Sequence, residues 1–462
     1  MKAHRESPRR DADGKTHREI LRIALPSIVA NITVPLLGLV DLSIAGHLAD
    51  ASGRATVLLG AIAVGSLVFN MIYWAFGFLR IGCGGLTAQA YGRADVGGQR
   101  GVLRLGVAVG AAFGLALVAL QWPIALAARW FVAPSAEVWA LALDYFRIRI
   151  WAAPAVLVLF AVNGWFIGMQ NSVCPMILAV VQNLINIGAS CWFVFGWEMG
   201  IGGVALGTVV SQYAGLALAA VMVARLGGFG RTERRTTGAE LRRFFSVNAD
   251  VFVRTLLLIA VTSAVTAIGA RSGDLTLAVN TLLMQLFTIF CYFTDGFAAA
   301  GEALTGKYVG RRAAAGDPRV RQVADGALRR VVAGLMLWGV GVALLFTTAY
   351  WVGGLPFLGL LTDDAGVLAA AGDYLPWAVA IPLASFAAFV WDGIYIGATA
   401  TRPMLAALAV GAAFFFGLYY GLGGLLPSNH RLWLAFIVYL AARGVAQTLM
   451  APRVLAGRDG GG

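Results

Sequence analysis

The segment "GLTAQAYGR" at residues 85–93 has a counterpart later in the chain, "ALTGKYVGR" at 303–311. The two share Leu, Thr, Gly and Arg in register. Upstream, "FGFLRIG" (76–82) matches "DGFAAAG" (295–301). Downstream, "NGWFIGMQNSVCPM" (163–176) matches "DGIYIGATATRPM" (392–404). Each match is weak in a chain this rich in glycine and alanine, but their common order and spacing indicate that the second half repeats the first.

The composition around these segments is that of a membrane protein. Of the 462 residues, 59% are apolar and 13% are charged, against about 45–50% and about 25% in soluble domains. A spanning helix needs about 20 mostly apolar residues, and the strands of a membrane barrel would alternate instead. The sequence therefore predicts an all-α integral membrane protein with twelve transmembrane helices. The predicted spans are 22–46, 56–80, 102–126, 146–168, 174–196, 202–224, 250–270, 275–303, 331–353, 374–398, 403–424 and 432–452.

The distribution of positive charge predicts the orientation. If both termini are cytoplasmic, 26 of the 35 Lys and Arg residues lie in the tails and cytoplasmic loops and six lie outside. Such an excess inside is the usual topology signal, and it accounts for the net charge of +12. The basic runs contain no recognisable nucleic-acid module, so nucleic acid is not an expected partner. We therefore expect both termini to be cytoplasmic.

The repeat predicts how the spans are grouped. Because six is an even number, two six-helix halves insert the same way up and are related by a pseudo-twofold axis along the membrane normal. We expect a cytoplasmic tail over 1–21, an N-lobe over 22–225, a polar linker over 226–245 and a C-lobe over 246–462. Parallel repeats of this kind are typical of transporters, with the cargo site between the lobes.

Asp41 lies in the apolar run "VPLLGLVDLSIAGHL" of the first predicted span. An ionised Asp at the bilayer centre costs roughly 2.5–3.5 kcal/mol on insertion scales, so intramembrane acids are functional candidates. Pro26 and Pro35 in the same span remove helical hydrogen bonds and favour a bend. A carboxyl facing a cavity would release a proton while the cavity is hydrated and bind one when the cavity loses its water, because desolvation disfavours the charged form. The alternative is a buried acid satisfied by a neighbouring hydroxyl or amide.

The fifth predicted span carries a polar face. Asn183 and Asn186 are one turn apart and Ser190 follows four residues later, so the three share one side of a helix. Thr208 in the sixth span is a candidate for the same cluster. These residues are candidate substrate or ion partners, although polar side chains in membranes also join helices for about 0.6 kcal/mol each.

Further acids and an arginine are predicted in the second half of the chain. Asp250 and Arg254 are four residues apart in the seventh span, so the two could neutralise each other. Asp295 and Asp392 each precede a glycine near the middle of a span. The sequence leaves open whether these four residues form a second ion site or a salt-bridge network.

Other function classes find little support. The loops carry no phosphate-binding glycine loop, catalytic triad or metal-ligand spacing, so neither an enzyme nor a metal site is expected. Scattered cysteines in apolar segments behave as small hydrophobes. The expected partners are small amphipathic substrates and the lipid bilayer, with a monomeric chain and no cofactor beyond a coupling ion.

The segment "FGFLRIGCGGLTAQAYG" (76–92) resembles the second-span signature of the multidrug and toxic compound extrusion (MATE) transporters, in their DinF-like branch. Similar blocks are "PLLGLVDLSIAGHL", "VQNLINIGASCWFVFG", "NADVFVRTLLLIAV", "LAVNTLLMQLF" and "DGFAAAGEALTGKYVG". The resemblance covers nearly the whole chain. It implies two six-helix lobes, a central cavity, and export of amphipathic, often cationic compounds in exchange for H⁺ or Na⁺. The expected location is then a bacterial inner membrane, with both termini cytoplasmic.

The resemblance also implies roles for single residues. Asp41 matches the family's first-span coupling carboxylate, and Asn183, Asn186 and Thr208 match its polar partners. Ser190 stands where many relatives carry Asp, and Arg254 lies near the place where Na⁺-coupled members carry Glu. Asp392 falls where such members often place an acid. The two departures favour proton coupling through Asp41; the alternatives are Na⁺ coupling and export of an amphipathic lipid or metabolite.

Overall fold

The structure is a computed structural model and describes residues 13–33, 44, 55–230, 237–423 and 425–457. All regular structure in these residues is helical. The helices are α1 (13–33), α2 (Ala55–Ala75), α3 (Phe78–Gly92), α4 (Val96–Ala119), α5 (Gln121–Val132), α6 (Ala136–Arg149), α7 (Ala153–Gly168), α8 (Val173–Cys191), α9 (Ile201–Arg225), α10 (Gly238–Arg271), α11 (Asp274–Ala314), α12 (Pro318–Leu358), α13 (Ala365–Gly397), α14 (Thr401–Gly421) and α15 (Ser428–Leu455). A short 3₁₀ turn, Ile150–Ala152, joins α6 to α7.

Eleven helical segments among the described residues are long and apolar enough to cross a membrane. They coincide with the second to the twelfth predicted spans, which confirms the all-helical membrane class. Residues 34–43 and 45–46 of the first predicted span, which include Pro35 and Asp41, lie outside the described residues. Pro26 lies within α1, which is helical on both sides of it.

The third predicted span, 102–126, ends earlier than expected. Helix α4 stops at Ala119, and the chain resumes as a separate helix, α5, at Gln121. Pro123 lies in the first turn of α5, where its missing amide hydrogen costs least, and it could not donate a hydrogen bond to continue the α4 ladder.

Several helices begin where an acidic side chain satisfies the first amides. Asp95 Oδ1 accepts from the Gly98 amide at 2.8 Å at the start of α4. Asp317 and Asp364 do the same for α12 and α13. A capping carboxylate satisfies amides that have no partner inside the helix, so short loops suffice between these long helices.

The described residues fall into two compact units. One lies within Met1–Ile28, Tyr91–Ala94 and Phe245–Gly462, and the other within Val29–Ala90 and Asp95–Phe244. The first therefore contains most of α1, whose Glu19 pairs with Lys307 at 3.5 Å. We call them the C-terminal unit and the N-terminal unit. The predicted tail, lobe and linker boundaries stay a prediction.

Each unit has its own apolar core. In the N-terminal unit Phe69 stacks on Phe146, with ring centroids 5.2 Å apart, among buried side chains of α2, α6 and α9. The core of the C-terminal unit is richer in aromatic residues, and Phe290, Phe436 and Trp433 are fully buried in it.

The repeated glycines bring helix backbones together in both units. In the N-terminal unit a Cβ on Gly164 of α7 would lie 2.1 Å from the Arg80 carbonyl oxygen of α3. In the C-terminal unit a Cβ on Gly393 of α13 would lie 2.1 Å from the Ala298 carbonyl oxygen of α11. These residues occupy matching places in the quoted repeat, so each unit uses the same close helix contact. Small residues at such positions allow backbones to approach in membrane proteins.

Candidate functional sites

The polar face predicted on the fifth span is present in the N-terminal unit. Asn186 of α8 is fully buried, and its Nδ2 donates to Thr208 Oγ1 of α9 at 3.1 Å. The Thr208 hydroxyl in turn donates to the Val204 carbonyl at 3.2 Å. The structure therefore brings together two of the predicted site residues from different helices.

Asn183 connects the same face of α8 to the first helix. Its Nδ2 donates to the Thr33 carbonyl at 2.9 Å. Thr33 is the last residue of α1 that the structure describes, and the chain from there leads to Asp41. Asp41 and Pro35 lie outside the described residues. The structure shows the hydrogen bond from Asn183 to Thr33, which precedes them in the chain.

Two acceptor oxygens of this cluster have no hydrogen-bond partner within the described part of the chain. They are Asn186 Oδ1 and Ser190 Oγ, both fully buried. Ser190 faces Gly207 of α9 so closely that a Cβ on that glycine would lie 2.2 Å from Ser190 Oγ. Buried polar atoms normally have a partner, so the N-terminal unit offers uncharged acceptor atoms at this place.

Two residues of the second predicted group, Arg254 and Asp392, belong to a buried ion cluster in the C-terminal unit. The Asp392 carboxylate of α13 accepts, at Oδ2, hydrogen bonds from Arg254 of α10 and from Arg443 of α15. Its Oδ1 accepts from Gln447 Nε2 at 2.7 Å. All four side chains are buried. We call this group the Asp392 cluster; it carries one net positive charge.

The pairing within α10 that the sequence suggests is replaced by contacts between helices. Asp250 accepts from the Thr401 hydroxyl of α14 at 2.6 Å, and Arg254 turns to Asp392. A buried carboxylate needs neutralising charge and several donors, and Asp392 obtains both from α10 and α15. Asp295 lies exposed on α11 and forms none of the hydrogen bonds of the Asp392 cluster described above.

Sequence reasoning missed two members of this cluster. Arg443 stands alone among apolar residues of the last predicted span, which is itself a signal because isolated charges in spans need partners. Gln447 lies four residues further on the same helix face. The sequence shows both features, but only the folded chain identifies Asp392 as their common partner.

Comparisons with known proteins agree with this architecture. A model of the MatE family matches residues 26–192 and 251–420, so each half of the chain carries one matched segment. The chain is 36% identical, over 93% of its length and 90% of the relative, to DNA damage-inducible protein F of Escherichia coli (strain K12).

Two solved structures are similar to the whole chain. The bent form of the Vibrio cholerae MATE transporter VcmN has a TM-score of 0.84 at 17% identity, covering 97% of this chain and 98% of that one. A transporter of the MOP superfamily from Pyrococcus furiosus, described as having a binding pocket of reverse polarity, has a TM-score of 0.78 at 17% identity, with 96% of each chain covered. At such identities the likeness shows the fold.

Together with eleven apolar helical segments among the described residues, these comparisons define a multi-pass membrane transporter of two-lobed helical fold. The chain belongs to the MatE family, whose members are transporters for multidrug and toxic compound efflux.

Proposed function

We propose that the protein is an antiporter that exports amphipathic, cationic compounds in exchange for protons, with Asp41 as the protonation site. The observation that carries this proposal is the Asp392 cluster. Its carboxylate already accepts hydrogen bonds from two guanidinium groups and one amide, and the two cations neutralise its charge, so it offers little attraction for Na⁺. The adjacent positive charge would also repel a cation.

The N-terminal unit provides a second argument for proton coupling. Asn186, Ser190 and Thr208 are polar without charge, whereas a Na⁺ site takes oxygen ligands that include negative charge. A lone carboxyl at Asp41 would then serve proton and cargo in turn. The ionised carboxyl attracts a cationic compound, and protonation removes that attraction. Cargo and proton therefore compete for one group, which is the requirement for exchange.

The experiment is efflux of ethidium from liposomes containing the purified protein, driven by a pH gradient or, separately, by a Na⁺ gradient. The expected result is proton-driven flux in the wild type and none in Asp41→Asn, with ethidium binding retained. Glu302→Gln is the matched control, because Glu302 and Asp392 are the buried acids among the described residues and Glu302 lies outside the Asp392 cluster. Proton-driven flux that survives in Asp41→Asn, or disappears in Glu302→Gln alone, would refute the assignment. Flux driven only by Na⁺ would refute proton coupling.

A second candidate, export of an acidic amphiphile such as a lipid or metabolite, is favoured by one feature of the C-terminal unit. The Asp392 cluster has a net positive charge, and Arg254 Nε has no hydrogen-bond partner within the described residues. An anion would neutralise that charge and accept from that group. If a fatty-acid-like anion inhibits transport and ethidium does not, that result would support this candidate over the first.

The location follows from the charge pattern. We propose insertion in the bacterial inner membrane with both termini in the cytoplasm, because the basic loops then lie inside. A protease added to sealed inside-out vesicles should remove a C-terminal tag, whereas a tag cut only in right-side-out vesicles would reverse the orientation.

A further inference from the structure

A cavity opens at one end of the C-terminal unit, outside the polar clusters described above. It lies between the last turn of α11, the first turns of α12 and the end of α15, and has a volume of about 730 Å³. This size is within the roughly 300–1,000 Å³ of small-molecule sites. Its charged lining residues are Arg312, Arg321, Asp325 and Arg329.

The cavity is strongly basic. Three guanidinium groups face one carboxylate, so its net charge is positive. Arg312 pairs with Asp325 at 3.3 Å and also donates to the Leu455 carbonyl. Arg321 makes a long contact, 3.4 Å, to the Ala315 carbonyl. Each guanidinium carries five donors, so most donors of these two remain available, and Arg329 is exposed with no hydrogen bond or ion pair to another described residue.

The spacing along α12 places these groups together. Positions 321, 325 and 329 are four residues apart, so their side chains follow one face of the helix. Beside them the lining is apolar: Leu328 is buried, and Pro452 and Leu455 come from the end of α15. The site therefore joins several arginines to an apolar wall.

We propose that this cavity binds the phosphate group of an anionic phospholipid. Arginine forks match phosphate oxygens in paired hydrogen bonds, and basic pockets between helices on the cytoplasmic side are suited to anionic headgroups. The charge pattern assigns this end of the C-terminal unit to the cytoplasm. The apolar wall favours a lipid over free phosphate, because it offers contact to the glycerol and acyl chains.

The test is calorimetric titration of the full-length protein, in an uncharged detergent, with short-chain phosphatidylglycerol. Short-chain phosphatidylcholine and inorganic phosphate are titrated in parallel. The expected result is binding of phosphatidylglycerol that weakens about 25-fold in Arg321→Gln/Arg329→Gln, or about fivefold per arginine removed near an anionic lipid. Thermal unfolding of the variant should match the wild type, since both side chains are exposed.

The matched control is Arg319→Gln/Arg330→Gln. It removes the same charge from exposed positions of the same helix that do not line the cavity, and phosphatidylglycerol binding should change less than about twofold. Equal losses in the two double variants would overturn the site, and equal binding of phosphatidylcholine would overturn recognition of the anion. Inorganic phosphate binding as tightly as phosphatidylglycerol would overturn the lipid as its source. No outcome depends on transport, so the proposed antiport is tested separately.

Discussion

The two units of the molecule share a helix contact and differ in the residue beside it. Gly164 of α7 packs on the Arg80 carbonyl, and Gly393 of α13 packs on the Ala298 carbonyl, in each case closely enough to exclude a Cβ. The residue before the glycine is Asn163 in the N-terminal unit and Asp392 in the C-terminal unit. A neutral amide thus occupies the place that a carboxylate occupies in the other half.

This single difference changes what each unit must contain. A buried carboxylate needs neutralising partners, and Asp392 has Arg254 and Arg443. Asn163 needs none, and its buried Oδ1 lacks a partner within the described residues. The C-terminal unit is therefore tied by charge across three helices. The pair of Asn186 and Thr208 in the N-terminal unit is polar without charge, which suits the half in which we propose proton exchange.

The largest effect is expected from removing the carboxylate of the Asp392 cluster in the C-terminal unit. Asp392→Asn leaves two buried arginines without their carboxylate, and removing one partner of a buried pair costs about 3–5 kcal/mol. The free energy of unfolding in detergent, measured by denaturant titration, should fall by this amount. The control Asp250→Asn weakens one hydrogen bond to Thr401 and should cost about 1 kcal/mol. Equal effects of the two substitutions would show that the cluster is not the tie between these helices.

Replacing the glycine of the shared helix contact by alanine should lower the free energy of unfolding to a similar extent in both units. Gly164→Ala and Gly393→Ala each force a Cβ against backbone atoms, and overpacking of this kind costs about 1–3 kcal/mol. Gly341→Ala in α12 is the control, because a Cβ there meets no atom within 4 Å and alanine favours a helix by up to about 1 kcal/mol. The free energies of unfolding of the three variants test this, and a neutral result at either packed glycine would contradict the repeat of the contact.

A smaller coupling free energy is expected between the polar side chains of the N-terminal unit. In a double-mutant cycle of Asn186→Ala and Thr208→Val, the coupling free energy should be about 0.6 kcal/mol, the average for hydrogen bonds between membrane helices. The same cycle on Asp392 and Arg443 should give a coupling several times larger. Similar couplings in the two units would remove the contrast between them.

The smallest effect is expected at Ser190. Its hydroxyl has no partner within the described residues, so Ser190→Ala loses no hydrogen bond, and the free energy of unfolding should change by less than about 0.5 kcal/mol. Proton-driven ethidium efflux should also persist. Loss of that flux with unchanged stability would make Ser190 part of the transport path and would assign it a proton or cargo contact.

Much of the fold could be predicted because its determinants are local. Apolar runs of sufficient length predicted eleven of the helical segments that the structure describes. The repeat found in the sequence includes the glycines of the contact that both units share, although the contact itself was not predicted. The break after Ala119 was missed because an apolar run continues through Pro123, and hydropathy does not register a lost amide hydrogen.

The candidate sites were predicted in part. The face carrying Asn183 and Asn186 follows from helical spacing, and Thr208 does meet Asn186. The sequence alone determined the membrane class, the helices, the charge asymmetry and the intramembrane polar residues, because each depends on neighbours along the chain. Only the tertiary structure decided that Arg254 pairs with Asp392 rather than Asp250, and that the end of α15 completes a cavity with the arginines of α11 and α12. Those choices depend on helices that are distant in sequence and adjacent in space.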